Sequence, residues 1–228
     1  MDDPIVAKCI RYLERVLRGE EAYPDRIEKH GDNGKSFLVF YPYMVAANIS
    51  LFHPGNPLLI PMRDKLVDNL KAKFAQGRFD EIAWERERET IKGPYLTVWN
   101  MYHIWLLRDA VCLDDALQRL YLDNIWHKAD GTVYLSDIPP ADKRYLEDRD
   151  FFTWLSNYEC LSGFSLFPMF MKDDILPHLL SETDRLMNGD VVMTAPSQHY
   201  VRYAESWRDK SKQKTDMILR IARILAKC

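Results

Sequence analysis

Glycine recurs at Gly19, Gly77, Gly131 and Gly189, in steps of 58, 54 and 58 residues. Each is reached by a charged, amphipathic stretch: RYLERVLRG, LVDNLKAKFAQG, YLDNIWHKADG and HLLSETDRLMNG. A short connector and a more apolar or aromatic segment follow each one. A second register interlocks with the first. Pro42, Tyr43 and Asn48 align with Pro94, Tyr95 and Asn100 at an offset of 52, and Asn157 follows Asn100 by 57. Self-similarity at a fixed period marks repeated supersecondary units, each of which buries its apolar face against the next.

The chain is long enough for such a stack. Its 228 residues can bury roughly 70% of their unfolded surface, and an apolar share of 47% with 12% aromatics argues against disorder. A net charge of −3 with interspersed signs lacks the basic excess of a nucleic-acid binder. The cysteines Cys9, Cys112, Cys160 and Cys228 form no close pair, so neither a zinc knuckle nor a disulfide framework is indicated. Cys9, Cys112 and Cys160 sit in apolar surroundings and are expected as core thiols. That, with an acidic N-terminus lacking a signal-peptide pattern, points to a reducing, cytoplasmic setting. The uncharged run 36–52, which ends at the turn residues His53-Pro54-Gly55, is 17 residues and contains Pro42 and Asn48. A membrane span needs about 20 apolar residues, so a buried helix is expected and not an integral membrane protein.

The units are expected to span about 1–52, 53–112, 113–170 and 171–228 of a single domain covering 1–228. Helices are predicted near 5–17 and 37–52, 61–75 and 95–111, 114–128 and 151–167, and 175–187 and 200–226. A loop holding Gly31 and Gly34 separates the first two. Within each unit the first helix is amphipathic, as in Leu66, Leu70 and Phe74, or Leu117, Leu120, Tyr121 and Ile125. In the first three units the second helix is apolar nearly all round, so it is buried on more than one side. The recurrent glycines are read as left-handed terminators of the amphipathic helices, Pro42 and Pro94 as first-turn prolines, and Asp114 as an N-cap.

Alternating outer and inner helices at this period describe an α/α toroid. The connector His127-Lys128-Ala129-Asp130-Gly131-Thr132-Val133 resembles the Gln-x-x-Asp-Gly-x-Trp repeat of the terpene cyclase and protein prenyltransferase β-subunit superfamily, with His127 for Gln and Val133 for Trp. Phe79 and Val191 hold the matching place after Gly77 and Gly189. The resemblance implies a toroid-like arc of about four helical hairpins with a period near 56 residues, and an apolar or isoprenoid-like ligand inside it. The superfamily's catalytic motifs are missing: the sequence has no Asp-x-Asp-Asp, no Asp-x-Cys and no Asp-Asp-x-x-Asp. Four hairpins are also fewer than the six of a full toroid, which leaves three forms open: an open arc, a truncated toroid, or an arc completed by a homodimer mate or a partner chain.

The inner segments carry Tyr43, Trp99, Tyr102 and Trp154, residues able to line an apolar pocket. Among them lie Asn100 and Asn157, polar groups that need partners when buried, and Arg208 follows in a basic stretch suited to a diphosphate. His103, Tyr158 and Glu159 are the candidate acid–base groups. No metal-ligand spacing occurs, and no cofactor can be named. Two function classes follow. One binds an apolar or isoprenoid-like molecule, with catalysis in doubt; the other is a non-catalytic helical-repeat scaffold for a protein partner. A carbohydrate-active α/α barrel using Glu159 and Glu205 is a third reading.

Overall fold

A computed structural model describes residues 3–21, 31–91, 100–108, 112–128, 139–142, 151–172, 175–188 and 210–228. The protein is all-α: ten α-helices and no strand stand among the described residues. They fall in two compact units, Met1–Asn124 and Ile125–Cys228. None of the described helices is long and apolar enough to cross a membrane.

The first unit starts with α1 (Pro4–Leu17), whose entry and exit are both written in its sequence. The Asp3 carboxylate accepts from the amides of Ile5 (2.7 Å) and Val6 (3.3 Å), and Pro4 follows where a missing N–H costs nothing. At the other end Gly19 takes φ +73°. Its amide donates to Val16 O (3.1 Å), while the Glu20 amide donates to Arg15 O (2.9 Å). This pair of bonds satisfies the last carbonyls, and only a left-handed residue allows it.

Helix α2 (Gly31–Phe52) packs against α1 and against α5 (Met101–Arg108). Phe40, Val45, Ala46, Ala47, Ile49 and Ser50 are all buried, so α2 is the buried helix that its apolar run predicts. It begins earlier than expected. The segment from Gly31, predicted as a loop, is already helical, so Pro42 lies in the helix interior and not in its first turn. Proline cannot donate to the carbonyl four residues back, and that bond is forgone within α2.

A 3₁₀ turn, Pro57–Leu59, capped by Asn56, leads into α3 (Ile60–Lys73). Arg63, Leu66, Val67 and Leu70 occupy its buried face. Gly77, at φ +72°, then turns the chain. The Gly77 amide donates to Phe74 O and the Asp80 amide to Lys73 O, both at 2.9 Å. The next helix, α4 (Glu81–Ile91), is not expected from the sequence reading, which treats this stretch as connector. Its start is well specified all the same. The Asp80 carboxylate accepts from the Ala83 amide (2.9 Å), and Phe79, just before the cap, stacks within 6.4 Å of Trp84 and 5.4 Å of Phe74. Helix α6 (Asp115–His127) begins as expected, with the Asp114 carboxylate accepting from the Leu117 amide at 2.8 Å.

In the second unit α7 (Phe151–Leu161) stops short of the expected residue 167. Ser162 and Gly163 end it in turns, and Pro168, which lacks an amide, starts the separate short helix α8 (Phe167–Met171). Helix α10 (Lys210–Leu225) packs on α7 and on α9 (Leu176–Met187). The Lys214 ammonium donates to Met187 O (3.2 Å) and so satisfies a carbonyl at the end of α9. Gly131 and Gly189 lie outside the described residues.

Candidate functional site

Three of the sequence-predicted residues meet in the first unit. Tyr43 of α2 and His103 of α5 stand edge to face, ring centroids 4.8 Å apart at 86°. Phe40 closes the same group, 6.1 Å from His103 and 5.5 Å from Tyr102, and Tyr102 in turn meets Trp105 at 5.8 Å. These are the separations of packed aromatic pairs, which favour tilted and T-shaped contacts. His103 is only 3% exposed, and burial pushes the Tyr43 hydroxyl above its ordinary value.

Asn100 enters this group through the backbone. It is fully buried, and its Oδ1 accepts from the Tyr102 amide (2.9 Å) while its own carbonyl accepts from the Ile104 amide (3.1 Å). Asn100 is therefore the cap of α5. Its Nδ2 is buried and has no hydrogen-bond partner among the described residues. Asn48, its counterpart in the sequence repeat, does something else. It lies within α2, and its Nδ2 donates back to Met44 O at 2.8 Å. The two asparagines share a sequence register without sharing a local structure.

The second unit holds Asn157, Tyr158 and Glu159 on α7, so His103 and the pair Tyr158–Glu159 belong to different compact units. Tyr158 is completely buried among Trp126 (5.5 Å) and Phe167 (6.3 Å), and its hydroxyl donates to Pro140 O at 2.5 Å. Burial drives its pKa far above the ordinary tyrosine value. That hydroxyl anchors the 139–142 segment, as does the Ala141 amide donating to Trp126 O at 3.1 Å. Asn157 is fully buried beside it on α7.

Glu159 is held by Arg220 of α10. The guanidinium donates through Nε to Oε1 (2.7 Å) and through Nη2 to Oε2 (2.6 Å), and Nη2 also reaches Ser156 Oγ at 3.2 Å. Burial pulls the Arg220 pKa down, but the hydrogen bonds and charge of Glu159, with the charge of Asp216, outweigh it and leave it raised. A two-pronged arginine–carboxylate pair of this kind fixes geometry as well as charge.

Two residues that matter here are not among the sequence-predicted candidates. Arg220 is one. Arg63 is the other: its buried guanidinium donates to Leu106 O (2.8 Å), Pro54 O (2.7 Å) and Ser50 Oγ (3.0 Å), tying α2, α3 and α5 together. The signal for Arg63 was available, since 63, 66, 67 and 70 follow core spacing on a helix. An arginine at such a position must find acceptors inside.

The cysteines need one correction. Cys160 is buried and Cys112 half-buried, but Cys9 is exposed, on a flank of α1 that α2 does not cover. Burial raises the Cys112 thiol pKa although Arg63 opposes it, so this thiol is not activated. Trp99 and Arg208 lie outside the described residues, as does the side chain of Trp154. A cavity of about 390 Å³ lies at the α3–α4 turn, lined by Gln76, Arg78, Phe79, Asp80, Glu81 and Ile82. No protein-family model, curated protein or solved structure matches the chain.

Proposed function

We propose that this chain is a non-catalytic helical scaffold that works by presenting its surface to a protein partner. The observation that carries this reading is the engagement of the candidate chemical groups in holding the fold. Glu159 is clamped by Arg220, the Tyr158 hydroxyl is bound to Pro140 O, and Asn100 caps α5. The rings of Phe40, Tyr43, Tyr102 and His103 pack against one another. A toroid-like arc of hairpins remains part of the reading, with the glycine turns as its repeating joints. Four free cysteines suit a reducing, cytoplasmic setting.

A second reading, an apolar or isoprenoid-like ligand, has one observation in its favour. The buried Nδ2 of Asn100 has no partner among the described residues, and a ligand acceptor would satisfy it. One experiment separates the two. The protein is incubated with farnesyl diphosphate, geranylgeranyl diphosphate and squalene, while tryptophan fluorescence and products are followed. The scaffold reading expects no saturable quenching and no product. A product that disappears in Glu159→Gln, with the fold intact, overturns it.

A further inference from the structure

Helix α1 carries a wider apolar arc than α2 covers. Ile10 is buried and Val6, Leu13 and Leu17 are half-buried, which accounts for the face turned to the core; Val16, one turn beyond Tyr12, is buried as well. Beside that face, Ile5 is 72% exposed, Tyr12 42% exposed, and Cys9 between them is exposed as well. Positions 5, 9 and 12 lie at steps of four and three, so they form one continuous stripe over two turns. Along its outer edge run Lys8 and Arg11, both exposed, followed by Arg15, whose guanidinium lies 5.8 Å from the Tyr12 ring.

The acids nearby offset Arg15 but leave Lys8 and Arg11 uncancelled. Glu14, the one acid within α1, is turned the other way, where its Oε1 accepts from Asn56 Nδ2 at 2.5 Å. Glu21 is engaged with Arg15 at 3.0 Å. Lys8 and Arg11 have no ion-pair partner among the described residues. The stripe is thus bounded by the core on one side and by uncompensated positive charge on the other.

Resting on the scaffold reading above, we propose that the outer shoulder of α1 docks an acidic amphipathic helix of a partner protein. Ile5, Cys9 and Tyr12 receive its apolar anchors, and Lys8 and Arg11 pair with its carboxylates. Anchors at four- and three-residue steps are the spacing by which one helix recognises another, and charges of opposite sign along the edge fix orientation and exclude wrong partners. Two other occupants fit less well. A second copy would bring the Lys8–Arg11 edge against itself. A lipid surface takes up the whole apolar face of an interfacial helix, whereas α1 commits most of that face to the fold.

The test uses two synthetic helix-forming peptides with leucines at matching spacing, one flanked by glutamates and one by lysines, followed by fluorescence anisotropy with the full chain. The acidic peptide should bind saturably, at least tenfold tighter than the basic one, and more weakly as salt rises. Ile5→Glu and Tyr12→Glu should each weaken it tenfold or more with unchanged thermal midpoints. The double variant Lys8→Glu with Arg11→Glu should invert the preference between the peptides, an outcome that misfolding cannot mimic. The proposal is overturned if neither peptide binds, or if binding is indifferent to these variants. It is equally overturned if phosphatidylserine vesicles bind while the acidic peptide does not, or if sedimentation shows a dimer that Ile5→Glu dissociates. Failure here leaves the scaffold reading intact, because that reading is tested separately by the diphosphate and squalene assay.

Discussion

Gly19→Ala isolates the backbone cost of one left-handed turn. Gly19 sits at φ +73°, and a Cβ built on it meets no atom within 4 Å. No steric clash contributes, so the effect comes from conformation alone. Placing an L side chain in the left-handed region costs about 1–2 kcal/mol. Against this, replacing glycine stiffens the unfolded chain and returns about 0.4–1 kcal/mol. The net destabilisation is therefore about 1 kcal/mol, or about 3 °C in the thermal midpoint of the transition that melts the first unit. Gly19→Asn should lose less, because asparagine tolerates this region better. Gly55→Ala is the control: nothing lies within 4 Å of its added Cβ either, and its φ is not in the left-handed region. It should leave the midpoint unchanged or raise it slightly. Circular dichroism melts at 222 nm read all three. Equal midpoints for wild type and Gly19→Ala, or equal losses at Gly19 and Gly55, would refute the argument.

Three further outcomes follow from the same structure. Arg63→Met removes three donors from inside the first unit and leaves Leu106 O, Pro54 O and Ser50 Oγ to find other partners. It should cost about 3 kcal/mol in urea unfolding, and a loss under 1 kcal/mol would show that these bonds do not hold the helices together. Asp114→Ala should cost about 1 kcal/mol by uncapping α6, with Asp114→Asn retaining most of it; equal losses would deny the cap. Burial holds Tyr158 and Tyr43 above the ordinary tyrosine value of 10.0, so the unfolded chain releases these protons first. Stability from them is complete below pH 10 and falls as the pH rises above it, by up to about 1.4 kcal/mol per pH unit for each tyrosine. Tyr158→Phe should flatten that alkaline slope by one tyrosine's share, and an unaltered slope would contradict its burial.

The sequence is most informative where a single residue decides local geometry. Asp114 is a cap, and Gly19 and Gly77 both turn left-handed, because few residue types serve those positions; the Asp3 cap belongs to the same class but goes unread. The apolar parts of the buried faces of α3 and α6 follow from apolar spacing, whereas the buried Arg63, Lys73 and Gln118 among them do not. Charge pattern is less telling. Helix α4 is rich in glutamate and arginine and shows no apolar stripe, so its start at Asp80 and the Phe79–Trp84 contact go unread. Helix α2 runs through Gly31, Gly34 and Pro42, three residues that local preference assigns to a loop or a first turn, because packing against α1 and α5 outweighs propensity. The candidate site is legible as residues but not as roles. His103 and Tyr43 do meet. Whether an asparagine caps a helix or bonds its own turn, and which arginine takes Glu159, depends on neighbours distant in the chain. Arg220 stands 61 positions from Glu159, beyond any local pattern.

The claim that the candidate chemical groups serve the fold is tested most directly at Glu159 and Arg220. A double-mutant cycle with Glu159→Gln, Arg220→Gln and the pair together reads their coupling from chemical unfolding of the second unit. The pair is two-pronged but partly exposed, with side-chain exposures of 32% and 18%, which tempers its strength. The account predicts a favourable coupling of about 1–2 kcal/mol, with each single variant destabilised and the double variant losing less than their sum. A coupling indistinguishable from zero would contradict it, for it would mean that Glu159 is not held by Arg220 and is free to do something else.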